Sequence, residues 1–195
     1  MGACWSWNVP AAKLVLLPKS KRPSVLLHFG DVDEELLRTL YSQPQQLVIC
    51  STGGDAEIAL AAADILAHYP LTVVATGSCY SAALIVLTSA TVRVATENTR
   101  FMWHRPSSSL PDGHHSPSQL QTVLKELCLN EDRLLAHLAK TSGVDRTVWQ
   151  GLAAPGDYYF DCRRAVELGV LHHIVEPTSA RPTRHRPTSS GRDKG

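Results

Sequence analysis

The chain has no long apolar run, no excess of either charge and no cysteine pair at metal-binding spacing. No apolar run approaches the ~18 residues that cross a bilayer, which argues against a membrane-embedded protein. Lys and Arg number 19 and Asp and Glu 18 among 195 residues, so the bulk charge does not indicate a nucleic-acid partner. The length suits one domain that buries a substantial core.

The five cysteines are scattered and mostly lie in apolar runs, which predicts buried thiols in a reducing cytoplasm rather than disulfides. They are Cys4, Cys50, Cys79, Cys128 and Cys162. The paired histidines at 114–115 and 172–173 are adjacent and fit a loop and a strand better than a metal site. We therefore expect no metal and no other cofactor. The N-terminus lacks the pattern of a secretory signal, and it matches only the loose motif for myristoylation.

Composition divides the chain into three regions. Residues 1–24 match no pattern that we can place, although Trp5 and Trp7 indicate docking, either onto the chain's own core or onto another molecule. Residues 25–176 carry the alternating strand and helix patterns of a folded domain. Residues 177–195 are rich in Pro, Ser, Thr, Arg and Gly and lack apolar anchors, which predicts a disordered tail.

Short apolar strands alternate with helices through the central region, which predicts an α/β fold built from βαβ units around a parallel sheet. Strands are predicted at 25–29, 47–50, 71–76, 91–95, 101–103 and 170–175, and helices at 34–41, 55–69, 81–87, 117–141 and 145–152. Asp31 or Asp33 is expected to cap the first of these helices, and Ser116 the long one. Gly77 is expected to end the third strand and open a tight turn.

A serine and a histidine follow two of the predicted strands. Ser81 stands at the first turn of an apolar helix, where free N–H groups and the helix dipole favour a developing oxyanion. His104 ends the short strand Phe101-Met102-Trp103, from which a base could return to the serine. This pattern points to acyl transfer. Taken singly, Ser81 fits an N-cap better than a nucleophile, and His104 fits a hydrogen-bonded histidine at a strand end better than a base.

A second turn upstream strengthens the catalytic interpretation. The buried strand 47–50 runs into Ser51-Thr52-Gly53-Gly54-Asp55 and then into a long apolar helix. Two adjacent glycines at such a turn let backbone N–H groups approach a ligand closely. The chain thus has two strand-turn-helix units, of which the first could offer amide donors and the second a nucleophile.

Taken together, these motifs resemble the proteolytic subunit of the Clp protease, a serine peptidase of the crotonase-like superfamily. That family reads Ser-Pro-Gly-Gly-Ser, Gly-x-x-x-Ser-Met-Gly and Met-Ile-His-Gln-Pro in the same order and at similar spacing. The present chain reads Ser-Thr-Gly-Gly-Asp, Gly-Ser-Cys-Tyr-Ser-Ala-Ala and Phe-Met-Trp-His-Arg-Pro. An aspartate also precedes its Ala-Val-Glu-Leu-Gly segment at the family's distance. The resemblance spans about residues 25–175.

The resemblance implies a set of site residues. Ser81 would be the nucleophile, His104 the general base and then acid, and Asp157 the carboxylate that orients the imidazole. The oxyanion donors would be the backbone N–H groups of Gly54 and Ala82. Asp161 is the competing carboxylate, and a helix cap or a surface charge is its alternative role.

The resemblance also implies partners and a location. Clp-type subunits form rings, so we expect self-association into heptamers or stacked tetradecamers, with the long helix projecting between opposed rings. Periodicity alone fits an ordinary amphipathic surface helix equally well. An AAA+ ATPase unfoldase would deliver unfolded protein, whereas short peptides would enter unaided. The expected compartment is the cytoplasm, with no nucleic-acid or membrane partner.

Two other functions stay open on the sequence. A crotonase-fold enzyme that processes acyl-CoA would use two backbone N–H groups on a thioester enolate and would not need the Ser, His and Asp set. A non-catalytic ring subunit would only scaffold an active partner, and the unplaced residues 1–24 are consistent with it.

Overall fold

A computed structural model describes residues 23–110 and 112–175 of the chain. The tail 177–195 and the N-terminal segment 1–24, except its last two residues, lie outside the described residues. The strands are β1 Val25–Phe29, β2 Gln46–Ser51, β3 Thr72–Tyr80, β4 Val92–Thr96, β5 Arg100–Trp103, β6 Tyr158–Phe160 and β7 His173–Val175. The helices are α1 Glu34–Tyr41, α2 Ala56–Leu66, α3 Ala82–Ser89, α4 Pro117–Ser142, α5 Arg146–Ala153 and α6 Cys162–Glu167.

The strands form one sheet that is parallel except at one edge. Its main path runs β1-β2-β3-β4-β7, and all four pairings along it are parallel. Strand β5 pairs in parallel with the end of β3, and β6 adds to β5 in the antiparallel direction. Helices connect the parallel strands, so the predicted α/β class with βαβ units is confirmed.

The third strand does not end at Gly77, as the sequence had suggested. It continues to Tyr80, and its register against β2 shifts between the pairs Ile49 with Ala75 and Ser51 with Cys79. Gly77 has φ +62 and lies against the Cys50 thiol, so the glycine forms a bulge instead of a turn. Below the bulge β3 pairs with β4, and beyond it β3 pairs with β5.

Two helices begin at predicted capping residues, and one of them ends at a glycine. The Asp33 carboxylate accepts hydrogen bonds from two backbone N–H groups at the start of α1, which decides between the two candidate aspartates. Ser116 caps α4 in a reciprocal capping box with Gln119, and Pro117 is the first helical residue. Gly143 ends α4 in the left-handed conformation that glycine tolerates.

Helix α3 lies at the centre of the core. Residues 82–88 are all buried, as expected for a helix that is apolar on every side. Helices α2 and α4 pack against it. The C-terminal part of α4 joins this core through Leu134, Leu135 and Leu138, whereas Leu120 and Leu124 near its N-terminus are exposed in the single chain. The long helix therefore extends beyond the body of the domain.

Two short elements were not predicted, and a third was predicted too long. Strand β6 and helix α6 have three and six residues, too few to show a clear period. The closing strand was predicted from residue 170 but β7 begins at His173, because Val170 and Leu171 belong to the turn after α6. Among the described residues, no helix has both the length and the apolar character that crossing a bilayer requires.

The tightest glycine contact predicts a large stability effect. Gly169 has φ +65, and a Cβ there would overlap the Ser142 carbonyl oxygen at the end of α4. Gly169→Ala should lower the free energy of unfolding by more than about 3 kcal/mol. The control is Gly143→Ala, since Gly143 has φ +76 and open space around it; its cost should be about 1–2 kcal/mol from the backbone alone. Equal losses in urea denaturation would contradict the steric argument.

Candidate active site

Strand register brings the three predicted side chains to one edge of the sheet. Tyr80 of β3 pairs with Met102 of β5, and the N–H of Ser81 donates to the Met102 carbonyl at 2.8 Å. Ser81 therefore lies one residue beyond this pair, beside the end of β5. His104, two residues after Met102, thus comes within reach of Ser81.

The antiparallel strand supplies the third side chain. Trp103 of β5 pairs with Tyr158 of β6, so the residue after one strand lies opposite the residue before the other. These residues are His104 and Asp157. The sequence prediction placed Asp157 by its distance to a later glycine, and the structure shows that a three-residue strand positions it.

Ser81 has an unusual backbone for a residue with a side chain. Its φ is +51 and its ψ is −120, a conformation that typically costs about 1–3 kcal/mol outside glycine. Although it precedes α3, its hydroxyl makes no capping hydrogen bond. Instead Oγ lies 2.7 Å from Nε2 of His104. Of the two roles left open by the sequence, the structure does not support the helix cap.

The other side of the imidazole faces Asp157. Nδ1 of His104 lies 3.4 Å from Oδ1 of Asp157, an ion-pair distance that is longer than a typical hydrogen bond. The side chain of Asp157 is 51% exposed and that of His104 is 29% exposed. Asp161 is engaged elsewhere, because its carboxylate accepts the backbone N–H of Arg164 at 2.9 Å and caps α6.

Gly53 and Gly54, which follow β2, each lie close to a different residue. A Cβ on Gly53 would lie 2.8 Å from Cβ of Ser81, and a Cβ on Gly54 would lie 2.6 Å from the carbonyl oxygen of Val32. Val32 donates its N–H to the Gly53 carbonyl at 2.7 Å, and its own carbonyl accepts the N–H of Asp55 at 2.9 Å. The turn is therefore held between the loop after β1 and Ser81. The adjacent glycines were visible as a signal in the sequence, whereas the part played by Val32 was not.

A cavity of about 410 Å³ opens beside the serine. Ser81, His104, Gly54 and Ala82 line it, so the two residues expected to supply oxyanion donors border the same space as the hydroxyl and the imidazole. Neither the Gly54 N–H nor the Ala82 N–H has an acceptor within the described part of the chain. Both amides are thus available to a ligand.

An ion pair that sequence reasoning missed connects this site to α4. Arg105, next to His104, donates from Nη2 to Oε2 of Glu131 at 2.7 Å, and this hydrogen bond raises the pKa of Arg105. Glu131 is 9% exposed, and its Oε1 has no partner within the described residues. The sequence signal for this ion pair was a single acidic residue, Glu131, on the apolar face of α4. The pair anchors the segment that follows the imidazole.

The fold and the site together define a class: an α/β protein with a serine and a histidine in hydrogen-bond contact at the end of parallel strands, beside free backbone amides. A sequence model of the family described as Clp protease matches residues 36–178. The chain therefore belongs to the Clp protease family and is a Clp-type protease. The family predicted from the sequence motifs is confirmed.

Individual relatives agree with the family. The chain is 25% identical over 165 residues to the ATP-dependent Clp protease proteolytic subunit 2 of Treponema pallidum (strain Nichols), with 78% of this chain and 80% of the relative covered. Its fold is similar to that of a point mutant of ClpP1 from Listeria monocytogenes. That comparison has a TM-score of 0.68 and 21% identity, and it covers 78% of this chain and 91% of the other.

The contact between Gly53 and Ser81 predicts an activity effect. Gly53→Ala should displace Ser81 and lower hydrolysis of a short fluorogenic peptide by about 10²-fold, as small misplacements at reacting centres do. Gly30→Ala is the control, because Gly30 also has a positive φ, +148, but has nothing near its Cβ position. Circular dichroism would show that both variants fold. Similar activity in the two variants would contradict the proposed contact.

Proposed function

We propose that this protease is a serine-type endopeptidase with Ser81 as nucleophile, His104 as general base and acid, and Asp157 as the orienting carboxylate. The observation that carries the proposal is the 2.7 Å contact between Ser81 Oγ and His104 Nε2. A serine hydroxyl needs such a base to become a nucleophile at neutral pH. The absence of a capping hydrogen bond from this hydroxyl supports the same role.

The proposed reaction has two steps, acylation of Ser81 and hydrolysis of the acyl-enzyme, and His104 acts as base and then acid in each. The Ser81 hydroxyl gives its proton to Nε2 of His104 while Oγ attacks the peptide carbonyl carbon. The tetrahedral intermediate collapses, the carbon–nitrogen bond breaks, and His104 returns the proton to the leaving amine. Water then gives a proton to the same imidazole and attacks the acyl-serine ester; the bond between the carbonyl carbon and Ser81 Oγ breaks, the acid product leaves, and the imidazolium returns the proton to Oγ. Asp157 stabilises the imidazolium and holds its tautomer.

The backbone N–H groups of Gly54 and Ala82 are proposed to stabilise the oxyanion. Both border the cavity and lack an acceptor among the described residues. Ala82 is also the first residue of α3, where the helix dipole favours negative charge. One such donor is typically worth about 3 kcal/mol of transition-state stabilisation.

Assembly into rings is part of the proposal. The described single chain leaves several large apolar side chains exposed on α4 and on the edge strand β1, a pattern that indicates contact with further copies. They are Leu120, Leu124 and Leu129 on α4, and Val25, Leu27 and Phe29 on β1. We propose heptameric rings, singly or as a stacked tetradecamer, with α4 in the contact between rings.

Substrate delivery and compartment complete the proposal. The Treponema relative is named as ATP-dependent, which supports delivery of unfolded polypeptides by an AAA+ ATPase and direct entry of short peptides. We place the protein in the cytoplasm, and the free state of Cys50, Cys79, Cys128 and Cys162 is consistent with a reducing compartment. Membership of the Clp protease family favours peptide substrates over the acyl-CoA substrates that the sequence had left open.

Removal of the nucleophile tests the proposal directly. Ser81→Ala should lower hydrolysis of short fluorogenic peptides by about 10⁴-fold or more, since a triad without its nucleophile keeps only residual catalysis. It should also abolish labelling by a fluorophosphonate. Native mass spectrometry should give the same assembly for both proteins. Undiminished turnover in the variant would refute the assignment. An unlabelled, inactive wild-type protein would indicate a non-catalytic ring subunit.

Two aspartates provide a matched test of the third residue. Asp157→Asn should lower kcat by about 10²- to 10⁴-fold, because an amide cannot stabilise the imidazolium as a carboxylate does. Asp161→Asn should keep near-normal activity, since asparagine caps a helix as well as aspartate does. A greater loss of kcat in the Asp161 variant than in the Asp157 variant would reverse the assignment.

A further inference from the structure

The cavity beside Ser81 has an apolar interior and an acidic margin. Pro106, Val123 and Leu127 line it and are only partly buried, so they offer apolar surface to a ligand. Three acidic residues that are exposed to solvent also line it: Asp55, Glu57 and Glu126. None of the lining residues in the described part of the chain is Lys or Arg. A ligand here thus meets hydrocarbon inside and negative charge at the margin.

The three carboxylates are not equally available. Oδ1 of Asp55 accepts the backbone N–H groups of Glu57 and Ile58 at 2.7 and 3.0 Å, as the cap of α2. Glu57 is paired with Arg133 at 2.5 Å. The Glu126 carboxylate makes no hydrogen bond or ion pair with any residue that the structure describes. Glu126 is therefore the one carboxylate of the three with no partner among the described residues.

We infer that the cavity selects peptides with a Lys or Arg side chain beside the scissile bond, and that Glu126 determines this preference. The inference rests on the proposed function, since it concerns substrates of the same site. Lys and Arg combine an aliphatic stem with a cationic end, and they bury the stem while the charge stays near water. The stem matches the apolar surface of the cavity, and the charge matches Glu126.

Arg133 makes the inference testable in both directions. Its guanidinium compensates Glu57 but does not line the cavity, and its side chain is 51% exposed. Loss of this arginine leaves the Glu57 carboxylate free to interact with a cationic substrate. Loss of the Glu126 carboxylate removes the negative charge of that residue. The two substitutions should therefore change the preference in opposite directions.

The experiment compares two fluorogenic peptides that differ only in the residue before the scissile bond, which is lysine in one and norleucine in the other. Norleucine keeps the aliphatic stem and lacks the charge. The measured quantity is the ratio of kcat/KM for the two peptides, which cancels general effects of a variant on catalysis. The wild-type ratio should favour lysine and should fall as ionic strength rises.

The variants should change this ratio with opposite signs. Glu126→Gln should lower it by about three- to fivefold, the effect of one partly exposed charge pair. Arg133→Gln should raise it by a similar factor. Glu97→Gln is the control, because Glu97 is exposed and does not line the cavity; its ratio should equal that of the wild type. An unchanged ratio in both cavity variants would overturn the inference.

Failure of the inference can be distinguished from failure of the proposed function. Intact fluorophosphonate labelling of Ser81 with equal turnover of the two peptides would overturn only the charge preference. Absence of both labelling and turnover would overturn the serine mechanism. In that case the affinities of Ser81→Ala for the two peptides, measured by fluorescence anisotropy, still decide the preference. Equal affinities would overturn it, and tighter binding of the lysine peptide would support it.

Discussion

The site depends on a strand of four residues that pairs on both of its edges. Strand β5 is parallel to the end of β3 and antiparallel to β6, and these two registers decide which residues meet at the end of the sheet. A slip by one residue in either pairing would move a strand by about 3.3 Å and turn its side chains to the other face. This arrangement requires the bulge at Gly77. Before the bulge β3 pairs with β4, and after it the end of β3 pairs with β5.

The strained serine is held by the burial of the helix that follows it. Seven consecutive residues of α3 are buried, and each large apolar side chain among them contributes about 1.5–3 kcal/mol on burial. This exceeds the cost of the positive φ at Ser81, typically about 1–3 kcal/mol. Gly53 also packs closely against the serine. Packing by α3 and by Gly53 thus holds the serine whose hydroxyl faces the imidazole.

The sequence predicted the helices and strands with a clear hydrophobic periodicity, and the residues at their ends. The bounds of α1 and the cap at Ser116 follow from apolar periodicity and capping chemistry. The neighbourhood of Ser81 and His104 follows from their places after two strands of one sheet. Strand β6 is too short to have a period, and a bulge and a turn at Gly77 share the same sequence signal. The ion pair of Arg105 with Glu131 joins residues 26 positions apart, and no local pattern reports such a contact.

Helix α4 has two parts, which meet at Glu131 and differ in burial. From this residue to the end of the helix, one face packs in the core. The ion pair between Arg105 and Glu131 connects the segment after His104 to this part. The preceding turns are largely exposed, yet they contribute Val123, Glu126 and Leu127 to the cavity wall. The carboxylate proposed to select peptides thus lies on the part of α4 outside the core, and the residue that anchors the imidazole segment lies on the buried part. Substitutions in the first part can therefore change which peptides this protease accepts without disturbing the contacts of the second.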